Sequence, residues 1–158
     1  MLTFNFYLIK SNMRDFIVAD DNTPLVKYEA YGPITVGTLF NTSMLDGMTV
    51  TNFGNQVVGY VEKNPGIQLM LNFKNVQYLS SAALTELIRI DEAAKAGNGK
   101  VRLCNLCNDI EKVFEITKFD KLFEIHKGEP METSLKKFRR SVEISQEEAA
   151  WEERNKNF

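Results

Sequence analysis

Two adjacent serines, Ser80 and Ser81, stand where the chain turns into an amphipathic stretch, and hydroxyls at such a point can do two kinds of chemistry. A helix N-terminus has about four unpaired backbone N–H groups and a partial positive charge. A serine hydroxyl there can accept one of these N–H groups as a cap. A phosphate on such a serine would be held by the same groups. The residue types alone leave two interpretations open, an ordinary cap and a phosphorylatable serine.

A second candidate is the C-x-x-C formed by Cys104 and Cys107, which is superficially similar to the redox motif of thioredoxin-like proteins. The Gly-Pro expected between the cysteines is replaced by Asn105-Leu106, and no tryptophan precedes them. We therefore expect Cys104 to pack as a small apolar residue at the end of a strand. A small redox protein stays as the less favoured alternative.

Metal and catalytic sites have little support in the sequence. A structural zinc site needs about four ligands, and Cys104, Cys107 and His126 supply three. His126 is the only histidine and follows a predicted strand, so we expect it at the surface. No G-x-S-x-G, glycine-rich phosphate loop or usefully spaced carboxylate pair is present. The sequence favours a protein that is not an enzyme and uses no metal or cofactor.

The serines lie in the most clearly patterned part of the chain. Residues 69–103 form an apolar strand, an amphipathic helix and a second apolar strand, which is typical of a right-handed crossover between parallel strands. The helix is predicted over residues 81–96 because apolar or small residues recur there at intervals of three and four residues. The predicted inner face comprises Leu84, Leu87, Ile88, Asp91 and Ala94.

The remaining pattern predicts further strands and helices around this unit. Asp46 is the natural N-cap of a helix that ends at residues 64–66, and Asn108-Asp109 is the predicted cap of a short helix over 109–116. A long helix should begin after residues 128–130 and run through Val142. The predicted strands are residues 25–30, 34–40, 67–73, 100–106 and 121–126.

Length and composition indicate one domain. The chain has 158 residues, 44% of them apolar, and a net charge of −2 from 19 basic and 21 acidic side chains. Nothing in this balance favours nucleic acid or an anionic membrane as a partner. The sequence shows no apolar run long enough to cross a membrane and no signal peptide, so we expect a cytoplasmic protein.

The chain divides into three predicted parts. Residues 1–22 are an N-terminal extension, residues 23–140 the domain, and residues 141–158 an acidic C-terminal tail. The tail should be a solvated helix extension or a frayed end, with Trp151 as the side chain able to dock on the domain. Its alternative role is an interaction arm.

The order of strands and helices resembles the STAS domain, the fold of bacterial anti-sigma factor antagonists. Residues 71–84, LNFKNVQYLSSAAL, look like the family's strand and its Asp-Ser-Ser/Thr-Gly-Leu corner. Residues 97–105 are similar to its G-G-x-φ-x-φ strand, residues 113–125 to its ending, and residues 44–46 to the Leu-Asp that opens its first helix. The resemblance covers roughly residues 25–140. It implies a single α/β domain, a mixed sheet of about five strands with four to five helices mostly on one face.

The resemblance also implies a function and a site. In such antagonists the first serine of the corner is phosphorylated by an ATP-dependent anti-sigma kinase, and a phosphatase resets the switch. The unphosphorylated protein binds the kinase and frees the sigma factor. Register places Ser81 on the phosphorylated serine, and the family's preceding aspartate falls on Ser80. The family's next serine or threonine and its glycine fall on Ala82 and Ala83. The implied partner surface comprises Asp46, Ser80, Ser81, Ala82 and Ala83.

We therefore expect an anti-sigma factor antagonist-like regulatory protein that binds a kinase/anti-sigma partner and is switched by phosphorylation of Ser81. The alternative within the same fold is a STAS domain that is never phosphorylated and acts as a constitutive binding scaffold. The sequence leaves the oligomeric state open.

Overall fold

The computed structural model describes residues 23–40 and 47–156. Five strands form one mixed sheet in the order β1-β2-β3-β4-β5. The strands are β1 Val26–Tyr31, β2 Ile34–Leu39, β3 Gln68–Asn72, β4 Lys100–Cys104 and β5 Glu124–His126. The helices are α1 Gly47–Lys63, α2 Ser81–Ala96, α3 Asn108–Thr117 and α4 Met131–Asn155, with a 3-10 turn at Phe119–Lys121. The predicted α/β fold is confirmed.

The sheet combines one hairpin with three crossovers. β1 pairs antiparallel with β2 across the Gly32-Pro33 turn, where Gly32 has a φ of +62°. Each later strand pairs parallel with the one before it, and α1, α2 and α3 make the connections. The carboxyl ends of β2 to β5 therefore meet at one edge of the sheet, and each of these helices starts there.

Strand alternation gives the sheet two apolar faces. Leu69, Leu71 and Leu103 belong to the larger core, which contains the buried side chains of α1, α2 and α3. Met70, between Leu69 and Leu71 in the sequence, belongs to a smaller core under α4. The other members of the smaller core are Ile34, Val36, Cys104, Leu135, Phe138 and Val142. Three described helices thus cover one face and α4 covers the other, as the resemblance implied.

Two predicted strands have the wrong first or last residue. The last strand begins at Glu124 rather than at residue 121, because Lys118 ends α3 with a φ of +61° and a 3-10 turn follows. The turn buries Phe123 against Phe114 and leaves Leu122 56% exposed. The strand predicted over 100–106 ends at Cys104.

Two predictions about helices also change. On α2, Ile90 is fully buried, while the predicted inner residue Ile88 is only half-buried. The cap of α3 is Cys107, in extended backbone, rather than Asn108-Asp109. Asp46 as the cap of α1 lies outside the described residues.

The acidic tail continues α4 as a helix to Asn155. Every residue from 143 to 156 is exposed. Trp151 is 63% exposed, so the prediction that it docks on the domain is wrong. The tail is a helix extension in solvent.

Candidate functional site

The two serines at the start of α2 have different positions. Ser80 is the N-cap, with extended backbone, and its hydroxyl accepts a hydrogen bond from the N–H of Ala83 at 3.2 Å. Ser81 is the first residue of the helix, and its side chain is exposed. Capping is therefore done by Ser80, and the Ser81 hydroxyl faces solvent beside the unpaired N–H groups of the first turn.

The other residues predicted to contact a partner also differ in exposure. Ala82 is exposed, whereas Ala83 is fully buried in the larger core. The Ala83 side chain is therefore not available to a partner, and its contribution at this site is the N–H group bound by Ser80. Asp46 lies outside the described residues.

Large apolar side chains are exposed at the edge of the sheet where Ser81 lies. Phe40 follows β2 and is 52% exposed, Met48 in the first turn of α1 is 75% exposed, and Tyr78 before α2 is 46% exposed. All three lie where parallel strands end and helices begin. Trp, Tyr, Phe and Met are enriched at protein interfaces, so this edge has the composition of a protein-binding surface.

A polar network at this edge fixes the segment between β3 and α2. The side-chain oxygen of Asn72, at the end of β3, accepts from the Lys74 N–H at 3.1 Å and from the Asn105 amide at 3.0 Å. The Asn72 amide donates to the Thr38 hydroxyl at 3.3 Å, and the Asn75 amide donates to the Leu39 carbonyl at 2.9 Å. These bonds join three neighbouring strands to the segment that carries the serines. The one sequence feature that could have indicated this network is Asn72, a polar residue within an apolar strand.

The two cysteines of the C-x-x-C pair lie in different environments. Cys104 is 1% exposed, and burial raises the pKa of its thiol to about 12. A redox cysteine needs the thiolate, which burial of Cys104 disfavours. The Cys107 thiol donates to the Gln77 carbonyl at 3.4 Å. Both cysteines are free thiols, and Cys104 packs in the smaller core as predicted.

His126 is buried, with 5% of its side chain exposed, so the prediction that it lies at the surface is wrong. Its Nε2 lies 3.3 Å from Nη1 of Arg102, and its Nδ1 lies 2.7 Å from Oε1 of Glu129. Because a guanidinium only donates, Nε2 must accept and Nδ1 must carry the proton given to Glu129. His126 therefore links β4 to the segment that precedes α4.

Arg102 completes this buried network under α4. Its guanidinium donates to the Ser141 hydroxyl at 2.9 Å, pairs with Glu124 at 2.8 Å and lies 4.5 Å from the centre of the Phe138 ring. In the strand sequence Val101-Arg102-Leu103, alternation places Arg102 on the face opposite the larger core. A charged side chain on that face is the sequence feature that could have revealed this network. Across residues 23–40 and 47–156, no three His, Cys, Asp or Glu side chains are grouped as metal ligands. In the same residues no helix is long and apolar enough to cross a membrane.

Solved structures of similar fold include proteins described as anti-sigma factor antagonists. An anti-sigma-factor antagonist (STAS) domain protein from Planctomyces limnophilus is 14% identical, with a TM-score of 0.62 over 72% of this chain and 97% of that chain. An anti-sigma factor antagonist from Mycobacterium paratuberculosis is 18% identical, with a TM-score of 0.60 over 77% of this chain and 97% of that chain.

The Bacillus protein SpoIIAA has been solved in two states. Its unphosphorylated form has a TM-score of 0.55 over 72% of this chain and 97% of that chain. Its phosphorylated form has a TM-score of 0.53 over 71% and 97%, and both forms are 16% identical to this chain. A search of curated proteins finds no significant match.

A family model described as the STAS domain matches residues 27–137, from β1 into the first turns of α4. That range contains β2 to β5, all of β1 except Val26, the two serines at the start of α2 and the first residues of α4. The resemblance noted in the sequence is therefore confirmed, and the chain belongs to the STAS domain family.

Proposed function

We propose that this protein is an anti-sigma factor antagonist-like regulator that binds a kinase/anti-sigma partner and is switched by phosphorylation of Ser81. The observation that carries the proposal is the division of roles at the corner. Ser80 caps α2, and Ser81 presents an exposed hydroxyl in the first turn. The existence of a phosphorylated form of SpoIIAA, a structural relative, supports the same assignment.

The switch follows from the electrostatics of this edge. A phosphate of about −2 charge at the start of α2 is favourable within the folded protein, because the helix dipole and unpaired N–H groups face it. The same charge is unfavourable in an interface formed by Phe40, Met48 and Tyr78, because a dianion must lose its water there. Phosphorylation would therefore release the partner without unfolding the protein.

The test combines modification mapping with a partner assay. Phosphopeptide mapping of the protein from its native cell should find phosphate on Ser81 in a fraction that changes with growth condition. Tagged wild type and Ser81→Ala should recover an ATP-binding kinase partner, and Ser81→Glu should lose it. Ser145→Ala is the matched control, because it removes an exposed hydroxyl on α4, away from the start of α2, and should retain both phosphate and partner.

Two results would replace the proposal. Recovery of the kinase by all variants with Ser81 unphosphorylated in every condition would favour the constitutive scaffold. Phosphate on Ser80 and not on Ser81 would mean that the proposal names the wrong serine.

A further inference from the structure

The second half of α4 forms a helix that the domain does not support. The last residue of α4 buried against the sheet is Val142, and residues 143–155 continue as roughly 20 Å of exposed helix. Short helices without packing are marginal in water. This segment nevertheless carries Ile144, 39% exposed, and Trp151, 63% exposed. Exposed apolar side chains on a helix without packing partners indicate that this part of α4 is a contact surface.

One exposed stripe of α4 has a symmetric pattern. Lys137, Arg140, Ile144, Glu148 and Trp151 are spaced by three, four, four and three residues, so they share one face of the helix. We call these five residues the outer stripe. It is turned away from the face that buries Leu135, Phe138 and Val142. Ile144 lies at its centre, with the cations before it and Glu148 and Trp151 after it.

From this pattern we propose that two copies of the chain pair through the outer stripe of α4, antiparallel, with the twofold axis at Ile144. An antiparallel pairing places each residue opposite the one equally distant on the other side of Ile144. Arg140 of one copy then faces Glu148 of the other, and the stem of Lys137 lies against the Trp151 indole. The two Ile144 side chains meet at the axis.

Charge distribution selects this occupant and this direction. Within the outer stripe the cations Lys137 and Arg140 precede Ile144 and the carboxylate of Glu148 follows it, and Lys136 and Glu147 flank the stripe in the same order. A parallel pair would set Arg140 against Arg140 and Glu148 against Glu148, which is repulsive. In this structure Arg140 makes only a 3.5 Å pair with Glu143, and its side chain is 64% exposed. It is therefore placed to pair with a second copy.

The test is a charge exchange measured by sedimentation equilibrium over a wide concentration range. Wild type should dimerise. Arg140→Glu and Glu148→Arg should each raise the dimer dissociation constant at least about tenfold, because each creates like charges across the axis. The double variant should return it to near the wild-type value. Glu153→Arg makes the same charge change on the opposite side of the same helix and should have no effect.

Fluorescence provides a second readout, because Trp151 is the only tryptophan in the chain. Its emission should move to shorter wavelength as wild type associates, and should not move in Glu148→Arg. A wild-type protein that stays monomeric overturns the proposal. So does a dimer that both single variants leave intact, or a double variant that is not restored. Urea unfolding of each variant separates these results from misfolding.

Discussion

At the scale of single residues, the corner between β3 and α2 separates two roles that adjacent serines could have shared. The Ser80 hydroxyl accepts a hydrogen bond from the Ala83 N–H, so the cap of α2 does not depend on Ser81. A change at Ser81 would therefore leave the capping hydrogen bond of α2 in place.

This separation predicts unequal effects on stability. Ser80→Ala should lower the free energy of unfolding by about 1 kcal/mol, because it leaves a backbone N–H of the first turn without its partner. Ser81→Ala should change it by less than about 0.5 kcal/mol, as for an exposed surface residue. Urea titration of both variants measures the difference. Equal losses would mean that the two hydroxyls share the capping role.

The sequence was sufficient to place Ser80 and Ser81 at a helix start, because local pattern and capping chemistry determine that position. It was not sufficient for His126. A histidine after a short strand has no local feature that reveals its environment. Its burial depends on Arg102, 24 positions away in the chain, and on the helix that closes over both.

At the scale of elements, the same long-range network fastens α4 to the sheet. Glu129, just before α4, accepts from His126 and from the Ser134 hydroxyl, and it pairs with Lys137 on the second turn. A single carboxylate thus connects β5 to two positions on the helix. The sequence predicted where α4 starts, but not this connection, because the connection forms only when the helix is docked on the sheet.

Glu129 should make stability depend on acidic pH. Hydrogen bonds from Lys137, then His126, lower the pKa of this carboxyl from 4.5 to about 2. A carboxyl whose pKa is lower in the folded state stabilises the fold above pH 4.5, and that contribution is lost as the pH falls toward 2. Glu129→Gln should therefore show a shallower fall in urea midpoint between these pH values than wild type does.

The control for this experiment is Glu132→Gln. Its carboxylate is 80% exposed and pairs with an exposed lysine one turn along α4. Such pairs contribute little, so the variant should follow the wild-type acid profile. A Glu129→Gln profile identical to wild type would mean that the carboxylate does not fasten α4.

At the scale of the whole molecule, the sheet separates two surfaces. The serine corner begins α2, which belongs to the larger core on one face. The outer stripe lies on α4, which covers the other face through the smaller core. The hairpin of β1 and β2 is local, and its turn at Gly32-Pro33 could be read from the sequence. Strand alternation then determines which side chains lie on each face of the sheet. The closure of α4 over the second face depends on contacts between distant segments.

This separation predicts that phosphorylation and dimerisation are independent. Ser81→Glu places a negative charge at the start of α2, on the face opposite the outer stripe, and exposed charges farther apart than about 10 Å are largely screened at physiological salt. The variant should dimerise with a dissociation constant within about twofold of wild type, measured by sedimentation equilibrium. A dimer that dissociates on this substitution would mean that the two faces are coupled through the sheet. If they are independent, one dimer presents two serine corners, and each can be switched without separating the pair.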